Sequence, residues 1–215
     1  MNEYHKINTV WKRDERGNIM RGQFSEPELE YLQNTQWVFT EKVDGTNVRV
    51  MFDGETRSVR FGGKTDAAQM PMFLVERLGA LFFENPGWSV VKTGGSVTLY
   101  GEGFGARIQK AGASYIPDGV DFILFDVLAN GVWLRREDVE QFAAALGIGI
   151  VPILGVGTLA DMIDLTSGGF TSTVAKTTMT AEGIVARPAV ELCNRRGQRI
   201  ITKIKAKDFL AKGAK

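Results

Sequence analysis

The chain has 215 residues, 44% of them hydrophobic and 24% charged, and a formal net charge of +1. That length can bury one good core, so a single domain over 1–215 is expected. It has no apolar run of about 18 residues and no apolar stretch behind the basic residues near its N-terminus, which argues against a helical membrane span or a secretory signal and favours the cytoplasm.

In chain order, the first clear signal is the apolar segment Trp37 to Phe39, which leads into a short loop. Val48, Val50 and Phe52 then alternate at period two up to a turn at Asp53-Gly54, after which Val59 and Phe61 resume the alternation. This predicts a hairpin with Glu41 to Asn47 at its entrance. Phe73, Leu74, Leu78, Leu81 and Phe82 recur near helical spacing, so an amphipathic helix is expected over 71–83. Strands follow at 96–101 and 121–128, the second ending at the turn Asn130-Gly131. The composition of 136–146 predicts a helix stopped by Gly147, and 158–165 a shorter one with Thr158 as its N-cap. Strands around 183–187 and 199–205 complete the series. Strands predominate with helices between them, which gives an α+β fold of mainly antiparallel sheets flanked by helices.

With one cysteine, Cys193, and one histidine, His5, the chain has neither an internal disulfide nor the ligands for a Cys/His zinc cluster. Any metal is to be held by oxygen. The net charge conceals an asymmetry, because residues 195–215 hold eight lysines and arginines against one acid, Asp208. Such a basic segment suits an anionic partner, a nucleotide or a nucleic-acid backbone, the plain alternative being a solvated tail.

The segment Glu41-Lys42-Val43-Asp44-Gly45-Thr46-Asn47 sets a lysine among acids and a glycine turn at the end of an apolar strand. Alone, a Lys-x-Asp-Gly string describes many surface turns. Order and spacing carry more. Downstream come Tyr100-Gly101-Glu102-Gly103, Phe122 to Asp126, Ala181-Glu182-Gly183-Ile184-Val185 and Ile201-Thr202-Lys203-Ile204-Lys205. These five segments, in this order, resemble motifs I, III, IIIa, IV and V of the covalent nucleotidyltransferase superfamily of DNA ligases, RNA ligases and mRNA capping enzymes. Further stretches after the first hairpin, at Trp133 to Glu137 and at Val151 to Gly155 resemble RNA ligase domains of the phage RNA ligase 2 type, so the likeness covers about 37–209.

The resemblance implies a nucleotidyltransferase domain, ATP-grasp-like in its ligase character, in which Lys42 takes AMP from ATP as a phosphoramidate and passes it to a 5′-phosphate for joining to a 3′-hydroxyl. Attack at the α-phosphorus needs a neutral amine, whereas a free lysine is protonated at neutral pH, so nearby positive charge and desolvation are required. The resemblance assigns that charge to Lys203, Lys205 and a magnesium or manganese ion, which also neutralise the departing pyrophosphate. It places Glu182 and then Glu102 as metal ligands, Glu102 also near the ribose, and Phe125 on adenine. Glu41, Val43, Asp44, Gly45 and Asn47 belong to the nucleotide-binding segment.

Two departures from the pattern stand out. Lys64 occupies the place where many RNA ligases of this type have an arginine, keeping the charge and losing the bidentate fork. The sequence also stops ten residues after Lys205, so the expectation is a catalytic domain without the C-terminal OB domain or small helical domain of related ligases, or else a piece of a longer protein. Thr46-Asn47 after the glycine resembles RNA ligases more than DNA ligases, so RNA ends are the expected partner, in RNA repair, with nicked duplex or DNA ends the alternative and a monomer the expected state. A reading of another class is a nucleic-acid-binding module of the same fold that has lost its chemistry. A generic ATP-binding protein is disfavoured, since neither a P-loop nor a kinase glycine-rich loop is present.

Overall fold

The computed structural model describes residues 3–210. They divide into two compact units. One is built on 44–151, with short contributions from 3–4 and 175–177; the other comprises 5–43, 152–174 and 178–210. Each has its own sheet and its own core.

The first unit carries a six-stranded sheet. Its strands run in the order Gly149–Ile150, Val120–Ala129, Ser96–Gly105, Thr46–Asp53 and Ser58–Gly62, with the short strand Val132–Trp133 also on Val120–Ala129. All neighbours are antiparallel except Gly149–Ile150, which lies parallel to Ile123 and Leu124. The expected hairpin forms with Val50 opposite Phe61 and Phe52 opposite Val59, and the Asp53 carboxylate closes its turn by accepting from the N–H groups of Glu55 and Thr56, both at 2.9 Å. Helices Met72–Phe82 and Arg136–Leu146 pack Leu74, Leu78, Phe82, Val139 and Leu146 into the core with Val48, Val50, Leu99 and Leu124. Trp88 stacks on Phe52 with centroids 4.3 Å apart. The second helix stops where expected: Gly147 takes the left-handed conformation, φ 66°, and its N–H bonds back to the last turn.

The second unit has a five-stranded sheet in the order Asn8–Thr9, Thr202–Lys205, Gly183–Pro188, Trp37–Lys42 and Ile153–Gly157. Its core gathers Trp37, Phe39, Ile184, Ala186 and Ile204 from the sheet with Leu159 and Met162 from helix Leu159–Gly168. A reciprocal box of Thr158 and Asp161 caps that helix, so the expected N-cap is the observed one. Beside the sheet, Trp11–Arg13 and Ile19–Phe24 form a separate antiparallel ribbon.

The expected loop after Phe39 is replaced by strand. Trp37–Lys42 continues to the lysine because Gly183–Pro188 pairs along its whole length, while on the other flank Ile153–Gly157 pairs as far as Thr40 and the Pro152 carbonyl accepts from the N–H of Glu41. A strand paired on both sides tolerates the polar residues Thr40 and Glu41, which by themselves suggest a loop. Among the described residues, no helix is long and apolar enough to cross a membrane.

Candidate active site

Lys42 ends its strand opposite Gly183, and Gly183 is in turn opposite Lys205. The two lysines therefore flank one glycine in a row across three strands. An added Cβ at Gly183 would sit 2.1 Å from the Ile204 carbonyl oxygen and 2.8 Å from Cα of Lys205, with φ at +156°. Only a residue without a side chain allows the strands to approach so closely.

One residue earlier, the Glu182 carboxylate bridges the row. Its Oε2 accepts from Nζ of Lys42 at 2.5 Å and its Oε1 from Nζ of Lys205 at 2.6 Å. The Glu182 carbonyl also accepts from the N–H of Ala206 at 2.9 Å, which fixes the backbone behind the carboxylate. The side chains of Lys42, Glu182 and Lys205 are 20%, 13% and 24% exposed, so solvent reaches a cluster of two cations on one anion. Lys203 lies two residues from Lys205, opposite Val185 and Thr9, while Thr202 and Ile204 are fully buried. The period-two alternation thus puts both lysines on one face.

Glu41 faces the other way. Successive strand residues point to opposite faces, and the Glu41 side chain, 1% exposed, accepts from Ser172 Oγ, from the N–H of Thr173 at 2.8 Å and from Thr173 Oγ1 at 2.9 Å. The carboxylate expected at a nucleotide instead ties the strand to the loop at 172–173. Val43 is buried, and its carbonyl lies 3.5 Å from Nζ of Lys42.

A second group of the expected residues gathers in the other unit. The N–H of Asp44 donates to the Tyr115 hydroxyl at 3.2 Å, and the Gly45 carbonyl accepts from Gln109 Nε2 at 3.1 Å. Asn47 stands directly opposite Glu102 in the sheet and its Nδ2 donates to Oε2 at 2.8 Å. The glycines around Glu102 have separate reasons. A Cβ at Gly101 would meet the Phe122 ring at 2.2 Å, and one at Gly103 would meet Leu74 at 2.7 Å. Core side chains therefore lie flush against one face of the strand while Glu102 stands on the opposite face.

Phe125 reaches that same face through a bulge. Tyr100 pairs with Asp126 and Gly101 with Leu124, which leaves Phe125 as the extra residue. Leu124 and Val127 both enter the core, so Phe125 and Asp126 are turned away from it together. Tyr4 covers them, with its ring 5.2 Å from Phe125 and 5.1 Å from Tyr100 and its hydroxyl donating to Asp126 Oδ2 at 2.8 Å. Burial pushes the Tyr100 phenol up to about 12, with the nearby Asp126 charge adding to the rise and Arg49 opposing it.

Lys64 is exposed, in a loop held from below by Arg49. That guanidinium, 2% exposed, donates to the Gly63 carbonyl and to Asp66 Oδ1, each at 2.8 Å, and holds the Asp66 carboxyl below its ordinary range. Sequence reading passes over Arg49, Tyr4, Ser172 and Thr173. None of the four leaves a local signal, since Arg49 falls between Val48, Val50 and Phe52 where the alternation expects a polar residue.

No three His, Cys, Asp or Glu side chains gather into a metal cluster among the described residues. The chain offers a cation single carboxylates. Magnesium accepts that arrangement when it keeps waters and takes its remaining oxygens from substrate phosphates. Glu182 would be the carboxylate beside the lysines, and Glu102 the other candidate.

Comparison with solved structures finds the same fold in Naegleria gruberi RNA ligase. Its structure with PPi aligns at TM-score 0.63 and 17% identity over 98% of this chain and 64% of that one. An arginine-to-alanine variant with ATP and Mn gives 0.65 and 16%, over 95% and 56%, and a lysine-to-methionine variant with AMP and Mn gives 0.62 and 16%, over 94% and 62%. A further variant, lysine to alanine, with ATP and Mn is covered over 52% of its length, so the chain spans about half to two thirds of these proteins. At such identity the likeness establishes the fold alone. No curated protein matches the chain. A family model described as RNA ligase matches residues 35–205, a range that takes in all five motif segments, and the chain belongs to the RNA ligase family.

Proposed function

We propose that this chain is an ATP-dependent RNA ligase that works through a lysyl-AMP on Lys42. The observation that carries the reading is the Glu182 carboxylate held between Lys42 and Lys205 across Gly183. It sets a lysine nucleophile, a second cation and an anion in one row at the edge of solvent.

In the first step Nζ of Lys42 forms a bond to the α-phosphorus of ATP, the bond to the bridging oxygen breaks and pyrophosphate leaves. The ammonium must give up its proton before attack, and Oε2 of Glu182, 2.5 Å away, is a carboxylate oxygen within hydrogen-bond reach of it. Lys205 on Oε1, with Lys203 beside it on the same face, keeps positive charge where the triphosphate charge accumulates. In the second step an oxygen of an RNA 5′-phosphate displaces Lys42, giving a 5′,5′ pyrophosphate. In the third a 3′-hydroxyl attacks that phosphate and AMP leaves. A magnesium or manganese ion held by Glu182 or Glu102 would supply further neutralisation of the phosphates when bound. In the same reading Glu102, oriented by Asn47, takes the ribose, Phe125 stacks on adenine, and Lys64 meets a phosphate of the AMP or of the 5′ end. We propose further that it acts in RNA repair, as a cytoplasmic monomer.

Sealing assays test the substrate. The chain, ATP and magnesium are supplied with 5′-labelled RNA strands, nicked duplexes and matched DNA strands. Joining of RNA in preference to DNA is expected. Joining of DNA alone would transfer the reading to DNA ligation, and RNA binding without any joining would favour the chemistry-free module.

A further inference from the structure

The second unit carries an open cleft of about 1010 Å³ that meets the chemistry above only at Lys203 and Lys205. It is lined by the ribbon of Trp11–Arg13 and Ile19–Phe24, by the paired strands Asn8–Thr9 and Thr202–Lys205, and by the residues just after the latter. The ribbon and the first strand precede residue 35, where the match to the RNA ligase family begins.

The lining is strongly basic. Among the described residues, seven lysines and arginines face it against two acids, Glu26 and Asp208. Both acids are already engaged, Asp208 by the guanidinium of Arg13 at 2.8 and 3.0 Å and Glu26 by Asn8 Nδ2 at 2.6 Å. Lys6, Lys12, Arg21 and Lys207 are exposed along it. Arg21 is held over the Phe209 ring, 5.2 Å from its centroid, which fixes a long cation in place before a ligand arrives. At its other side the cleft reaches Lys203 and Lys205, and Lys205 shares the Glu182 carboxylate with Lys42. A row of cations thus leads away from the nucleophile's own ion pair.

Like charges gathered in a groove repel one another and are stabilised by a polyanion. The ligand chemistry is phosphate, from either a nucleotide or a nucleic-acid strand. The spread of the cations favours the strand, since they run from Lys6 and Lys12 on the N-terminal segments to Lys203 and Lys207 on the C-terminal ones. About 1010 Å³ is at the upper end of what a whole drug-sized ligand occupies, far more than a pyrophosphate needs. We infer that this cleft binds the sugar-phosphate backbone of a single RNA strand and leads its 5′-phosphate end toward Lys42. The assignment of that end rests on the ligase reading; backbone binding in the cleft does not.

The test uses the full chain and the double substitution Lys12→Ala with Arg21→Ala, both at exposed positions, alongside the charge reversal Lys12→Glu. Binding of a 5′-phosphorylated RNA of about twelve nucleotides, blocked at its 3′ end by a fluorophore, is followed by anisotropy at several salt concentrations. The expected result is affinity weaker by roughly threefold to tenfold in the double variant and a salt dependence shallower by about 1.4 in log–log slope, the value for two lost contacts to a single strand. Labelling of the protein by ATP, and its reversal by pyrophosphate, are read in parallel and are expected to match the wild type. RNA affinity and salt slope equal to the wild type would overturn the inference. So would loss of pyrophosphate reversal with RNA binding intact, which would assign the cleft to nucleotide phosphates. If the wild type takes no label from ATP while the substitutions still weaken RNA binding, the ligase reading fails and the cleft stands.

Discussion

Oε2 of Glu182 lies 2.5 Å from Nζ of Lys42, and the remaining oxygen of the same carboxylate is taken by Lys205. One carboxylate thereby holds both amines, and in the proposed reaction it would bear on the proton of Lys42 and on the placement of Lys205. Glu182→Gln keeps the shape and removes the charge. Formation of lysyl-AMP in a single turnover should slow by about a hundredfold or more, within the range for losing one electrostatic contributor in a site. A variant that labels at the wild-type rate would show that the carboxylate plays no role.

The close approach behind this pair makes Gly183 indispensable to the fold. With Ile204 O only 2.1 Å from an added Cβ, Gly183→Ala must push the paired strands apart or strain the backbone. A loss of about 2–4 kcal/mol is expected, on the scale of severe backbone and overpacking defects, and urea unfolding measures it. Unchanged stability would mean that the sheet yields there at little cost.

Glu41 supports the strand from its buried face. Removing its side chain takes away the acceptor of the buried Ser172 hydroxyl and the anchor of Thr173, which is itself exposed. Glu41→Ala should cost about 1–3 kcal/mol and open the loop at 172–173 to faster amide exchange. Exchange as slow as in the wild type would contradict the anchoring role.

Tyr100 gives the fold an alkaline limit. Its folded value, about 12, lies above the ordinary 10.0, so its contribution to stability is complete below pH 10 and is lost as the pH rises through 12. The wild type should lose denaturant resistance between those values by more than Tyr100→Phe does, other groups being common to both. Equal losses would indicate that the phenol ionises as freely in the folded chain as in the unfolded one.

How much of the molecule is legible in the sequence follows from how local each signal is. The hairpin over 46–62, the helices Met72–Phe82 and Arg136–Leu146, and the Thr158 cap rest on periodicity and on neighbouring residues, and they stand as expected. Family resemblance names Lys42, Glu182 and Lys205, but the geometry of their row depends on pairing between strands about 140 residues apart in sequence, and no local pattern encodes that. For the same reason the inward turn of Glu41 escapes sequence reading, since its partners Ser172 and Thr173 lie far along the chain. The short strands before residue 25 give no signal either. Asn8–Thr9 and Trp11–Arg13 are too brief to show a period, and they are strands only because Thr202–Lys205 and Ile19–Phe24 lie alongside.

Incubation with magnesium and α-labelled ATP, followed by a denaturing gel, tests the central claim most directly. The protein is first treated with pyrophosphate to clear any resident AMP, and Lys42→Ala is run beside it with GTP and NAD in parallel. Label from ATP on the wild type and none on Lys42→Ala is the predicted result. Absence of label under all conditions, or equal label on both proteins, would contradict Lys42 as the nucleophile and with it the ligase account.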